Sequence, residues 1–227
     1  MYALLQALKT FKEKIANQRL IYLTDSQSCD LICRKGSGKM RLQILAKQID
    51  SFVRLYNIDF STAWLKRELN VEADELSKYK DTDNWKISDL LFDKLKVLSK
   101  FIFSLDPFAS ETNNKCAKFY SKFMCPETAG VNGLAFSWSG ETVWACPPPS
   151  LSLKALTHFR DSRAKGVFLF PDWASLPLRP LLKVNYFKDF ILNDWTFPAN
   201  IFVIKERNCN IEMKAIRAIV FDFSSAN

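Results

Sequence analysis

Histidine is nearly absent from this 227-residue sequence, where His158 stands alone. Six cysteines, at positions 29, 33, 116, 125, 146 and 209, include no CxxC pair. Those two shortages exclude the common zinc modules, whose ligands come in closely spaced Cys and His pairs. The sequence also has no run of about 18 or more uninterrupted apolar residues, the length a membrane-spanning helix needs. Its N-terminal stretch, MYALLQALKTFKEKIANQRL, is amphipathic and lacks the continuous apolar segment and small-residue cleavage site of a secretory signal. Without such a signal a disulfide framework is not expected either. No internal repeat or low-complexity tract occurs. The expectation is an intracellular protein, cytoplasmic or nuclear, with reduced thiols and no membrane partner.

Apolar residues make up 48% of the chain and aromatics 14%, enough to build a core and to argue against disorder. The formal net charge is +8. Residues 1–80 carry 14 basic and 9 acidic side chains, or +5, and the longer remainder 18 and 15, or +3. A basic excess leaning toward one end permits a polyanionic partner without requiring one.

Apolar spacing predicts the elements. Leu4, Leu5, Leu8, Phe11 and Ile15 fall on one face of a helix over 3–16, and RLIYLTD (19–25) reads as a buried strand ending at Asp25. SQSCDLICRKGSG reads as a two-turn helix closed by glycines, and residues 40–57 as a longer helix. DFSTAWLK (59–66) follows as a strand and NVEADELSKY as a helix capped by Asn70. KYKDTDNWK (78–86) is polar and charged, as domain boundaries are. Beyond it come a helix at 88–99, strands KFIFSLD, TVWACPPP and KGVFLFPDW, the helix SLKALTHFRDSR between the last two, and a final strand with a loose tail. The fold class is α/β, with a second domain expected to hold a parallel sheet.

An acid at the carboxyl end of a central strand sits at the ligand-binding edge of an open α/β sheet. Asp25 occupies that position, and Asp74 lies in the first turn of the helix that follows the second strand. Two carboxylates meeting at one edge are the beginning of a two-metal phosphodiesterase site. The competing reading is that Asp25 caps the next helix and Asp74 serves its helix dipole. Arg34, Lys35, Lys39, Arg41 and Lys47 form a run of five positive charges with no acid between them, suited to phosphates or to a solvated helix face. GSGK (36–39) lacks the rest of a phosphate-binding loop.

The segments LIYLTDSQSCDLICRKGSGKMRLQILAKQIDSF and STAWLKRELNVEADELSKYKDTDNWKISDLLFDKL resemble the ribonuclease H domain of retroelement polyproteins of the DIRS type. The features that carry the likeness are TDS after the strand, KGS before the long helix and WLKRELNVEADELS near the end, across about residues 1–95. The resemblance implies that Asp25 and Asp74 are catalytic acids and magnesium ligands, and that an RNA–DNA hybrid is the substrate. It also implies a reverse transcriptase polyprotein as the setting. The family's first three strands, its first catalytic Asp and its helix Glu have no counterpart here. Glu68 and Glu72 match no motif ligand. Two carboxylates supply fewer oxygens than a divalent ion needs and repel one another, so cleavage by this module alone is not expected.

In the second half an acid and small residues follow a strand, in Asp106-Pro-Phe-Ala-Ser110, and another strand ends in the rigid turn Cys146-Pro-Pro-Pro149. LDPFASETNNKCAKFYS, FSWSGETVWACPPP and GVFLFPDWASLPLRPLL, in that order, resemble the adenine-methyltransferase-like (Dam-like) domain, over about residues 101–183. The likeness implies a Rossmann-like methyltransferase fold. Asp106 would then lie at the S-adenosylmethionine site, and Cys146, Pro147 and Pro148 at the turn that holds an extruded adenine. Cys146 replaces an Asn or Asp acceptor and Pro149 an aromatic ring. Methyl transfer and S-adenosylmethionine binding are therefore not expected. His158, Trp138, Trp144 and Trp173 read as packing residues, although Trp173 follows a strand end where a cleft forms.

The expected organisation is a truncated ribonuclease H-like domain over 1–80, a linker and helix over 81–100, and a degenerate Dam-like domain over 101–227. The expected function is residual nucleic-acid binding by a catalytically impaired retroelement fragment. The alternatives are a magnesium-dependent ribonuclease H completed by an upstream segment, and a structural or protein-interaction module.

Overall fold

The computed structural model describes residues 1–78, 85–204 and 212–225. The chain divides into two compact units, Met1–Tyr79 and Lys80–Asn227. Most of the charged stretch read as a boundary, together with Cys209 and the last two residues, lies outside the described residues.

The first unit opens with helices α1 (Tyr2–Thr10) and α2 (Lys12–Ile15), where a single helix was predicted; the dihedrals of Phe11, φ −102° and ψ 15°, interrupt it although its N–H still bonds the Ala7 carbonyl oxygen. Strand β1 (Arg19–Thr24) leads through α3 (Gln27–Lys35) and α4 (Met40–Leu55) to β2 (Asp59–Trp64), and α5 (Val71–Ser77) follows. The two strands pair in parallel, from Arg19 opposite Asp59 to Thr24 opposite Trp64. The α3–α4 crossover makes that direction possible, since parallel neighbours cannot be joined by a hairpin. Leu20, Tyr22 and Phe60 pack against a small core of Leu4, Leu5, Leu8, Ile49, Val53 and Ile58. Ile21 and Leu23 point the other way and are 52% and 60% exposed.

The second unit begins with β3 (Lys86–Ile87) and α6 (Asp89–Ser99) and continues with β4 (Leu105–Ala109), β5 (Lys118–Ser121) and β6 (Thr142–Ala145). Helix α7 (Ser152–Asp161), β7 (Lys165–Pro171), α8 (Asn185–Lys188), β8 (Ile191–Pro198), α9 (Ala199–Phe202), β9 (Val203–Ile204) and β10 (Ala215–Asp222) complete it. Six strands form one sheet in the order β5-β4-β6-β7-β10-β8, and β3 pairs separately with β9. The first four run parallel, but β10 is antiparallel to both β7 and β8, so the sheet is mixed rather than parallel throughout.

Alternation along β7 and β10 explains how both faces are covered. Phe168 and Phe170 join Phe159 of α7 and Phe221 in one core, while Val167 and Leu169 join Leu91 and Leu95 of α6 in the other. Helix α6, grouped with the connecting segment in the sequence, is therefore integral to the second unit. Gly166 lets β7 approach β6: a Cβ there would lie 2.0 Å from the Val143 carbonyl oxygen, and its φ of +146° disfavours any other residue. The first strand of the sheet begins at Leu105, not Lys100. Phe101 and Phe103 instead pack against the α6 core, and Phe103 sets its ring edge against Trp144.

Candidate functional site

Chain reversal in the second unit creates a crevice. From β4 the chain moves outward to β5, then crosses back to β6 on β4's other side. Ligands of open α/β sheets bind at such a switch point, beyond the carboxyl ends of the strands. Here β4 and β6 are matched at Leu105 and Val143, and Asp106 is the next residue along β4. Cys146 directly follows β6. The sequence-predicted residues Asp106 and Cys146 are thus brought together, with Pro147 and Pro148 leading on from the turn.

Asp106 is buried, and its carboxylate accepts hydrogen bonds from the backbone N–H groups of Phe108 (3.3 Å) and Lys115 (3.1 Å). Burial dominates those two donors and pushes the acid up to about 7. Burial, with the Asp106 charge adding to it, pushes the Cys146 thiol well above its ordinary range. An inert thiol beside a buried acid is the consequence.

The crevice is closed. Trp85, 3% exposed, donates its indole N–H to the Pro147 carbonyl oxygen at 2.8 Å. Trp85, Ile87 and Lys115 line what remains with Asp106 and Cys146, a cavity of about 10 Å³, which is room for about one water molecule. S-adenosylmethionine does not fit in that space. Sequence reasoning missed Trp85, which sat unremarked in a stretch read as linker; a lone Trp among charges and polar residues was the available signal.

In the first unit, Asp25 stands at the carboxyl end of β1, where the Trp64 indole donates to its backbone oxygen at 3.0 Å. It is not the cap of α3: Ser26 is, accepting from the Cys29 N–H. Asp74 lies in the first turn of α5, and its carboxylate takes a 2.5 Å ion pair from Lys78 and a longer one from Arg67. The Lys78 hydrogen bond chiefly holds it below the usual carboxylate range. Among the described residues no group of three or more His, Cys, Asp or Glu side chains is arranged to hold a metal ion.

The basic run splits. Arg34 is structural: its guanidinium bonds the Asp30 carboxylate at 3.0 Å and the Thr62 carbonyl oxygen at 2.6 Å, pinning α3 to β2. The Thr62 hydroxyl donates to Asp30 as well. Lys35, Lys39 and Arg41 are exposed around the α3–α4 turn and Lys47 is exposed two turns into α4, and among the described residues no ion pair engages them.

His158 bonds the Phe136 carbonyl oxygen at 2.8 Å and meets the Trp138 ring edge-on, a packing role. Trp138 and Trp144 are fully buried. Trp173 is different: beside Asp172 and Met213 it lines an open cavity of about 690 Å³ beyond the end of β7. No helix among the described residues is long and apolar enough to cross a membrane. No protein-family model and no curated protein matches this chain.

Proposed function

We propose that this chain is a retroelement-derived nucleic-acid-binding fragment. Its first unit, resembling a truncated ribonuclease H domain, contacts phosphates through the α3–α4 turn and does not cleave them. The observation that carries the reading is the placement of Lys35, Lys39, Arg41 and Lys47, four exposed cations without ion-pair partners among the described residues on one helix–turn–helix segment. Cations already paired gain little from a phosphate, whereas free ones release counterions on binding. The engagement of Asp74 by Lys78 and Arg67 supports the absence of cleavage. The second unit, resembling a Dam-like methyltransferase, is read as a scaffold. The position of Asp106 and Cys146 at the switch point supports that ancestry, and the closed crevice supports the loss of activity.

The test is binding of the whole chain to an RNA–DNA hybrid across a salt series. Replacing both Lys39 and Arg41 with Ala is expected to lower the slope of log K against log salt by about 2, close to one unit per lost phosphate contact. An unchanged slope overturns the proposed surface. Magnesium-dependent hybrid cleavage that disappears in Asp25→Asn overturns the non-cleaving reading and restores the enzyme alternative.

A second reading rests on β1. Its outer face exposes Ile21 and Leu23, and among the described residues its far edge pairs with nothing. Parallel sheets are normally covered on both faces, and an open edge is a template for another strand. An interaction module completed by another polypeptide accounts for that face. No hybrid binding at low salt, with protection of β1 amides by a partner, would favour it.

A further inference from the structure

Strand β1 carries an inference that deepens the second reading above; it rests on the premise that the free edge of β1 pairs with another polypeptide, and is independent of phosphate binding by the α3–α4 turn. We propose that this polypeptide is a second copy of the chain, whose β1 pairs antiparallel with the first about a two-fold axis at Tyr22. The register joins Ile21 of each copy to Leu23 of the other, and Arg19 of each to Asp25 of the other. One continuous sheet results, in the order β2-β1-β1-β2.

The backbone groups that β2 already uses define the free edge. The Asp59 N–H bonds the Gln18 carbonyl oxygen and the Leu65 N–H that of Thr24, each at 3.0 Å. Backbone groups turn to opposite edges at successive residues of a strand, so Leu20 and Tyr22 also face β2 while Arg19, Ile21 and Leu23 aim their N–H and C=O groups away from it. Among the described residues no strand pairs there. The edge also lacks the usual devices that keep strands apart: Leu20 to Thr24 contain no proline and no charge, and their register with β2 has no bulge. A second β1 can bond only to these outward groups, which restricts the pairing to odd-numbered residues opposite odd-numbered ones.

Side chains select both the register and the partner. A two-fold contact needs a surface complementary to itself, and at two-residue spacing β1 reads basic, apolar, apolar, acidic: Arg19, Ile21, Leu23 and Asp25. Turned end for end, that series meets its own complement. Centring on Tyr22 sets Ile21 opposite Leu23 and each charge opposite its counterion, the kinds of pair that stabilise antiparallel strands. Centring on Ile21 would set Arg19 opposite Leu23, and centring on Leu23 would set Asp25 opposite Ile21. Parallel pairing in register would set like charges side by side. Arg19 is available for the contact, because its side chain is 76% exposed and its approach to Asp59, at 3.7 Å, is a surface pair of little worth. Asp25 is partly exposed. Ile21 and Leu23, 52% and 60% exposed, each gain an apolar neighbour.

The experiment is sedimentation equilibrium of the full chain, as wild type, Arg19→Asp, Asp25→Arg and an equimolar mixture of the two variants. Wild type is expected to be monomeric at about 1 μM and largely dimeric at about 1 mM, since pairing one short strand buries less than a standard interface. Each variant alone meets its copy with two like-charge pairs, and is expected to dimerise at least about tenfold more weakly. The mixture is expected to associate as wild type does, because the acidic strand then faces the basic one. Variants that dimerise as wild type does, or a mixture no more associated than its parts, overturn the proposal. Should a variant not fold, the wild type decides: protection of the Ile21 and Leu23 amides from exchange is expected to rise with chain concentration, and a monomer at the higher concentration overturns self-pairing. In that monomer, fast exchange at Ile21 and Leu23 leaves the edge open to a different polypeptide, whereas slow exchange shows that the chain covers its own edge and overturns the wider reading too.

Discussion

Strands β1 and β7 are both short and each pairs in parallel with one neighbour, yet Ile21 and Leu23 of β1 stand more than half exposed while Val167 to Phe170 of β7 are wholly buried. The difference is in what surrounds them. β7 has a neighbour on each edge, with the α7 core on one face and the α6 core on the other. Among the described residues β1 has one neighbour, and helices cover one of its faces. Burying an aliphatic or aromatic side chain fully is worth about 1.5–3 kcal/mol, so a strand covered on one side forgoes that gain at every second residue. The same kind of apolar run therefore makes a self-sufficient layer in one unit and a half-finished one in the other.

The largest expected effect tests whether the second unit stands by itself. Phe159 of α7 is fully buried and meets the Trp138, Phe168 and Phe223 rings at 6.0–6.2 Å. Phe159→Ala is expected to cost about 3–5 kcal/mol, read as a lowered urea midpoint in the near-ultraviolet signal of the buried tryptophans. The separate transition of the first unit should stay where it was. A shift of both transitions together would show that the units are energetically one, and the contrast between them would fail.

One acid in each unit answers pH with opposite sign. Asp106 is pushed up to about 7 when folded, against about 3.9 in an unfolded chain. Between those values the folded state holds a proton that the unfolded state has released, so stability falls as pH rises toward 7 and then levels off. The slope is at most about 1.4 kcal/mol per pH unit. Lys115 is the cation near this acid, and the neighbouring Cys116 and Cys146 thiols are themselves raised and stay neutral across that range. Asp106→Asn should flatten the second unit's urea midpoint between pH 5 and pH 8. Asp74, held below its ordinary range by Lys78, acts the other way: its contribution is present at neutral pH and lost as pH falls through the carboxylate range. A wild-type second unit whose midpoint rises between pH 5 and pH 8 would refute the assignment to Asp106.

What the sequence revealed follows the same division. β1, α3, α4 and β2 were legible because their apolar spacing is regular and local, and Asp25 stands at the end of β1 where it was expected. β5 and β8 were not recognised. KFYS offers four residues, too few for a period, and ILNDWTFP mixes exposed and inward positions because it lies at an edge. The reversed direction of β10 is a matter of long-range pairing, which periodicity does not encode. At the site, Cys146 follows β6 as expected, whereas Asp106, expected directly after a strand, is the second residue of β4. Arg34 was misgrouped with free cations although Asp30 stands four residues before it on α3; its other partner, Thr62, is 28 residues away. Trp85 went unremarked because its Pro147 acceptor is 62 residues away.

The smallest expected effect bears most directly on the contrast. If the outer face of β1 meets only water in the isolated chain, Leu23→Thr exchanges an exposed apolar group for a polar one of good strand propensity. Its effect on the first unit's stability is expected to lie within about 0.5 kcal/mol, the range for surface substitutions. Leu8 of α1, 1% exposed in the core on the other face of β1, sets the scale: its loss to Ala should cost about 2–5 kcal/mol. A cost above about 2 kcal/mol for Leu23→Thr in the same urea series would mean that something covers β1 in solution. At dilute protein concentration, a near-zero cost leaves the face open, so the exposure of Ile21 and Leu23 belongs to the unit itself. A cost that appears only as concentration rises identifies a second copy of the chain as the cover, because association stabilises by mass action.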